Sequence, residues 1–178
     1  MTDPVWLDAL MHWLSAKAAF GLPLLALLAL GLIHREGRRG VGLALCLLLT
    51  VGLADAGGNV LKGVFQQPRP CAERPAAELR IPPCPGDRTG MPSNHALNFF
   101  AALGFIALAL RDWRWTAPLA LVAVMVAVSR VYLGAHTPAQ VLAGAALGLP
   151  FGLAMAALCA RRRPPVLPSP PQDPRPKP

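Results

Sequence analysis

Charge is scarce in this chain. Only 15% of its 178 residues are Asp, Glu, Lys or Arg, against 54% hydrophobic, which excludes an ordinary soluble domain of this length. Acidic residues are the scarcer half, 9 Asp and Glu against 17 Lys and Arg, for a net charge of +8. The cations form no basic stripe and no amphipathic basic face, so the nucleic-acid partner that the net charge would suggest is not expected. None of the four cysteines is accompanied by a CxxC or HxxxH pair, so no zinc site is expected either. The first residues lack the basic start of a cleavable secretory signal and open instead on Asp3-Pro4.

What fills the sequence is a series of apolar runs: Ala18–Ile33, Val41–Leu61 interrupted only by Asp55, Met91–Leu110 with His95 as its one ionisable residue, Trp115–Ser129, and Thr137–Ala160. A helix needs roughly 17–25 residues to cross about 30 Å of hydrocarbon. The runs therefore predict an all-α polytopic membrane bundle of about five transmembrane helices, with Ala18–Ile33 and Trp115–Ser129 recruiting flanking residues to span. Arg35, Arg38 and Arg39 follow the first run, Arg111 and Arg114 the third, and Arg161, Arg162 and Arg163 the fifth. The positive-inside rule puts all three clusters in the cytoplasm. The connections Gln66–Gly90 and Gly134–Thr137, and the N-terminus, then face the other side.

Residues 1–17 read as an interfacial helix. Asp3-Pro4 suits a helix start, Trp6, Leu10, Trp13 and Leu14 recur at helical spacing, and Asp8, His12 and Lys17 are residues that a spanning helix rarely carries. The alternative is a helix continuous with the next run. Residues 18–160 form the expected transmembrane domain, and the Pro-rich 161–178 reads as a disordered cytoplasmic tail. In the proline-rich Gln66–Gly90 loop, Cys71 and Cys84 share a compartment expected to be oxidising; a disulfide closing about a dozen residues would contribute ~3 kcal/mol, with two free thiols as the alternative. Cys46 and Cys159 lie within apolar runs and read as packing residues. Gly144, Gly148 and Gly152 recur every four residues, a spacing that permits close helix approach within the chain or across a homodimer.

The polar residues at membrane depth gather at one side. Lys62 ends the second run, Arg69-Pro70 follows in the outer loop, Pro92-Ser93-Asn94-His95 opens the third run, Ser129-Arg130 nears the outer end of the fourth, and His136 lies just beyond it. Helix parity alone brings these widely separated groups to one face. Three permanent cations, two imidazoles, a hydroxyl and a helix N-terminus are what a phosphoryl group in transfer requires, since its charge is met by fixed cations and donors. Each taken alone has a plain explanation: Lys62 and Arg130 as snorkelling side chains, Ser93 as a helix cap, His136 as a loop residue. Their joint spacing favours a phosphate site.

At these residues the sequence resembles the type 2 phosphatidic acid phosphatase family, which is related to vanadium haloperoxidases. The family signature is a lysine, six residues, Arg-Pro; then Pro-Ser-Gly-His; then Ser-Arg, five residues, histidine, three residues, aspartate. Lys62 to Arg69-Pro70 keeps the first spacing, Pro92-Ser93-Asn94-His95 replaces only the glycine, and Ser129-Arg130 to His136 keeps the third. The resemblance implies that His136 attacks phosphorus to form a phosphohistidine. It implies that His95 protonates the departing oxygen and later activates water, and that Lys62, Arg69, Ser93, Asn94 and Arg130 hold the phosphate. It also implies catalysis without metal or cofactor, in keeping with the lack of a carboxylate cluster in the outer loop.

One position departs from the signature: the aspartate that orients the nucleophilic histidine falls on Gln140. An amide oxygen can still accept the imidazole N–H but lacks the negative charge, and in the serine-protease template the same exchange lowers turnover ~10⁴-fold. If charge is what the site lacks, Gln140→Asp raises turnover. Asp55 and Asp87 are the substitute carboxylates to consider. The expected substrate is a lipid-linked phosphate or diphosphate in a bacterial plasma membrane, reached from the extracytoplasmic side, with undecaprenyl diphosphate favoured over phosphatidylglycerophosphate and the 1-phosphate of lipid A. The competing readings are a lipid-phosphate binder weakened by Gln140 and a small transporter with Asp55, Asn59 and Lys62 along a polar path.

Overall fold

A backbone in hydrocarbon has no water to bond, so each apolar run closes its N–H and C=O groups within its own helix. The computed structural model describes residues 4–74, 80 and 88–160. Among them the elements are α1 (Val5–Ser15), a π-helical turn (Lys17–Gly21) leading into α2 (Leu22–Glu36), α3 (Arg38–Phe65), the single turn α4 (Pro70–Glu73), α5 (Asn94–Leu110), α6 (Trp113–Tyr132) and α7 (Pro138–Ala160). The described residues contain no strand, only an isolated bridge between Pro68 and Thr89. The expected all-α bundle is what forms.

Four stretches are long and apolar enough to cross a membrane: Lys17–Glu36, Arg38–Phe65, Trp113–Tyr132 and Pro138–Cys159. The remaining apolar helix is the 17-residue α5, at the short limit for a span. α5 is the central helix, with Ala96, Leu97, Ala101, Phe105 and Ile106 buried and α3, α6 and α7 around it. On the surrounding helices Leu27, Leu45, Val60, Leu121 and Leu142 are exposed. That distribution suits a lipid solvent rather than water, and the chain is a multi-pass membrane protein.

The closest helix contact is α5 against α7. Gly144, Gly148 and Gly152 lie over the carbonyls of Ser93, Leu97 and Ala101, where any Cβ would collide with backbone. This stripe, which the sequence leaves open to a homodimer, is filled by α5 of the same chain. The α2–α3 hairpin turns on Gly37, whose φ of 57° lies in the left-handed region where a side chain is costly. Beside that turn Arg35 meets Asp112 at 2.7 Å, tying α2 to the start of α6, and Arg39 meets Glu36 at 2.7 Å. The opposite end of the bundle collects the C-termini of α3 and α6 and the N-termini of α5 and α7. Helix α1 packs on α6 at that end.

Cys46 and Cys159, expected as unpaired packing residues, form a disulfide with Cα atoms 6.8 Å apart. The correction is geometric: α3 and α7 run side by side, and the separation is within disulfide reach. Cys71 is disulfide-bonded as expected of it, while its expected partner Cys84 and the tail 161–178 lie outside the described residues.

Candidate active site

The motif residues are delivered by helix ends and by the connections that leave them. Lys62 sits in the last turn of α3, Ser93 is the N-cap of α5, and Arg130 sits in the last turn of α6. His136 lies in the α6–α7 turn, and Gln140 in the first turn of α7. Arg69 comes from the loop after α3. Two backbone bonds pin that loop's ends together, Arg69 N–H to Arg88 O at 2.9 Å and Gly90 N–H to Gln67 O at 2.7 Å. The Arg69 guanidinium is held by its Nε–H on Thr89 O at 2.9 Å. All of these side chains are buried, Lys62, Arg69, Arg130 and His136 at 6, 7, 9 and 2% exposure. Burying that much cationic charge is expensive.

His136 gives its Nδ1–H to Gln140 Oε1 at 3.1 Å, which fixes the tautomer and leaves the Nε2 lone pair outward. Arg69 Nη1 lies 3.4 Å from that Nε2. Burial first, then the nearby Arg69 and Arg130 guanidiniums, hold the His136 pKa down to about 3, so the ring is neutral at neutral pH. Gln140 is fully buried and saturated. Its oxygen also accepts from Thr137 N–H at 3.2 Å, and its amide N–H donates to Pro68 O at 2.9 Å. Because Pro68 O can only accept, the amide has one orientation. Gln140 thus occupies the orienting position expected of an aspartate and binds the outer loop as well. Asp55 is not the substitute carboxylate, since its partners are Lys17, Asn94 and Asn98. Asp87 lies outside the described residues.

Ser93 Oγ and Arg130 Nε are buried with no hydrogen-bond partner among the described residues. Asn94, expected among the phosphate-binding groups, is a correction: its side chain turns to α3 and donates to Asn59 Oδ1 at 2.7 Å and Asp55 O at 3.2 Å. It packs against Gly58, where a Cβ would meet the amide. Substituting asparagine for the signature glycine gave α5 a clamp onto α3 rather than a ligand for the pocket. Asn59 is thereby a helix-packing residue rather than part of the pocket.

Sequence reasoning missed Ser15. Its carbonyl accepts from His95 Nε2–H at 3.0 Å, and its hydroxyl accepts from Arg130 Nη1. No motif could mark a residue whose main contact is a backbone carbonyl; the one available signal was the break between the amphipathic first segment and the apolar run after it. Ser15 also links the two imidazoles to one place, because Arg130 O receives the His136 backbone N–H at 3.1 Å. A largely apolar cavity of about 320 Å³ reaches in between α2, α3 and α5, with Leu28, Val51 and Phe99 on its walls and Lys17, Asp55 and His95 at its polar end. Among the described residues no group of three His, Cys, Asp or Glu could hold a metal ion.

Known proteins resemble the chain in sequence and fold. It is 35% identical to the undecaprenyl-diphosphatase of Sulfolobus acidocaldarius over 146 residues, 80% of this chain and 66% of that protein. It is 37% identical to human dolichyldiphosphatase 1 over 105 residues, 50% of this chain and 41% of that one. A crystal structure of a transmembrane PAP2 type phosphatidylglycerolphosphate phosphatase from Bacillus subtilis superposes with a TM-score of 0.64 at 25% identity, covering 90% of this chain and 80% of that one. The chain spans about half the length of the curated relatives it matches. The family model of the PAP2 superfamily matches residues 43–164, from within α3 to beyond α7 and across every motif residue named above, and the chain belongs to that superfamily.

Proposed function

We propose that the chain is a lipid phosphate phosphatase working through a phosphohistidine on His136, with a polyprenyl diphosphate such as undecaprenyl diphosphate as substrate. The observation that carries this reading is the pair of partnerless buried donors, Ser93 Oγ and Arg130 Nε, beside an imidazole whose unprotonated Nε2 lies 3.4 Å from Arg69 Nη1. A buried donor left without an acceptor costs about 1–3 kcal/mol, and the oxygens of a phosphoryl group would satisfy both. In the first step His136 Nε2 bonds to phosphorus, the bond to the leaving oxygen breaks, and that oxygen takes a proton from His95. In the second, water bonds to phosphorus as His95 takes its proton, the N–P bond breaks and phosphate leaves. Lys62, Arg69 and Arg130 hold the charge on the phosphoryl oxygens throughout.

The cavity ending at His95 suits a lipid tail entering from the bilayer. Two of the relatives are named for polyprenyl diphosphates, which favours that class over phosphatidylglycerolphosphate, the second lipid to test given the fold match. Lipid A is third, on the likeness to a Helicobacter pylori lipid A 4'-phosphatase, 34% identical over 114 residues. Arginines at the α2–α3 and α5–α6 turns support a site on the extracytoplasmic side of a bacterial plasma membrane. The binder reading loses its motive, because Gln140 keeps the orienting contact. Purified full-length protein should release inorganic phosphate from undecaprenyl diphosphate in excess chelator, and His136→Ala should lower that release by at least about 10⁴-fold. No release, or release indifferent to His136→Ala, would sink the proposal.

A further inference from the structure

The two imidazoles are held in the same manner by different parts of the chain. His136 gives its Nδ1–H to Gln140, four residues on. His95 gives its Nε2–H to the carbonyl of Ser15, 80 residues back, at 3.0 Å. Ser15 is the last residue of α1. Its carbonyl is therefore one of those that a helix C-terminus leaves without an intrahelical partner, at the negative end of the helix dipole. That end needs a donor, and the ring of His95 supplies it.

Three further ties fix where this carbonyl lies. Ser15 Oγ accepts from Arg130 Nη1, Lys17 Nζ meets Asp55 Oδ1 at 3.0 Å, and Tyr132 donates to Asp8 at 2.8 Å nearer the start of α1. Asp55 also accepts from Asn98 Nδ2 at 2.8 Å and from Asn94 Nδ2 at 3.3 Å. These asparagines flank His95 on α5. One carboxylate thus braces both the helix that carries the imidazole and the segment that carries its acceptor. Polar groups at this depth are costly in a membrane chain and call for a use.

We infer that α1 is a working part of the site: the Ser15 carbonyl is a positioning partner that holds the His95 ring in one tautomer and one orientation, with Lys17 and Asp55 as its brace. Helix α1 lies outside the residues 43–164 that match the family, so this contribution is additional to the three motifs. It rests on the reading of His95 as proton donor. With Nε2–H engaged by Ser15, Nδ1 is the working nitrogen: the ring takes up a second proton there together with the anionic substrate, gives it to the leaving oxygen, and as the neutral Nε2–H tautomer then takes one from water.

Lys17→Met loosens the brace, and the leaving group reports the consequence. Farnesyl monophosphate expels an alkoxide, which needs a proton, whereas farnesyl diphosphate expels a phosphate, which needs one far less. In single-turnover release of the leaving group, which reads the first step and not the water step that both substrates share, Lys17→Met should slow the monophosphate about tenfold with its binding little changed, and leave the diphosphate within about threefold. Lys17→Arg should restore the monophosphate rate. ¹⁵N-histidine spectra should show His95 protonated on Nε2 in the wild type and as a mixture of tautomers in Lys17→Met. Equal losses on the two substrates, or an unchanged His95 tautomer, overturn the inference. So does a gain on both, since Ser15 would then be obstructing the pocket. His95→Ala separates this inference from the one beneath it. If that variant also affects both substrates equally, His95 is not the proton donor and the mechanism falls too; if it discriminates while Lys17→Met does not, only the role of α1 falls.

Discussion

Arginines crowd both ends of the bundle, and the two ends treat them oppositely. At the α2–α3 turn Arg35 and Arg39 have side chains 37% and 47% exposed, and each meets a carboxylate at 2.7 Å. At the other end Arg130 is 9% exposed, its Nη1 meets only a neutral hydroxyl, and its Nε has no partner among the described residues. Exposed pairs contribute little to stability, about 0–1 kcal/mol, so stability does not account for the first set, whereas the proposed orientation in the membrane does. A buried guanidinium without an anion is a standing cost, which a ligand must offset. The same residue type is exposed and ion-paired at one end and buried without an anion at the other, the division expected if the first serves topology and the second the proposed chemistry.

The comparison breaks most directly at Arg130. Arg130→Ala should lower phosphate release by about 10²–10³-fold, the usual cost of removing one donor from a transition-state cradle. The loss should fall mainly on kcat, because the charge it meets is greatest in transfer. A loss smaller than about threefold would mean that Lys62 and Arg69 suffice, and that the burial of Arg130 serves packing.

A smaller effect is expected at Gln140. From sequence alone Gln140→Asp looks like a repair, returning the carboxylate that the family signature carries. In the structure the amide N–H binds Pro68 O at 2.9 Å, and the whole side chain is enclosed with Gly90 packed against it. Aspartate is one methylene shorter and cannot donate, so Pro68 O loses its donor at about 1–3 kcal/mol. Turnover should fall about tenfold rather than rise, and an increase would show that negative charge was what the site lacked. The same variant should alter the pH profile. In the wild type His136, held at about 3, contributes no acid limb between roughly pH 6.5 and 5, whereas an adjacent carboxylate favours the imidazolium and brings such a limb into view. For stability the sign is fixed: the folded pKa lies below the unfolded one, so the unfolded chain binds the proton first. His136 therefore destabilises the fold progressively as pH falls below about 6.5.

Much of this was legible in the sequence because hydrophobic runs and helix parity are properties of the chain itself. Lys62, Ser93, His95, Arg130 and His136 had to meet at one face once five helices alternated direction. Contacts made by backbone or by amide chemistry were not legible. Asn94 looked like a phosphate ligand because it stands beside Ser93 and His95, yet on a helix adjacent residues point in different directions, and its amide found α3. Ser15 left no trace, since a carbonyl has no residue identity. Gln140 looked deficient because a missing charge is visible in a sequence, whereas the loop carbonyl it binds 72 residues away is not. Cys46 and Cys159 came together through the α3–α7 contact, a matter of packing that two apolar runs do not announce.

The smallest effect should come from the other end of the bundle. Arg35 bonds Asp112, whose carboxylate also caps α6 by accepting from Arg114 N–H at 3.0 Å. Both side chains are partly exposed, so water and salt compete for them. Removing the arginine leaves the cap intact, because the Arg114 bond does not depend on it. Arg35→Ala should therefore leave phosphate release unchanged and lower Tm by no more than about 2 °C. Even that shift should vanish near 1 M salt, where the screening length is about 3 Å. A loss of turnover at low salt without a loss of fold would mean that the two ends are mechanically coupled through α6, whose other end carries Arg130. The division between a topological end and a chemical end would then be wrong.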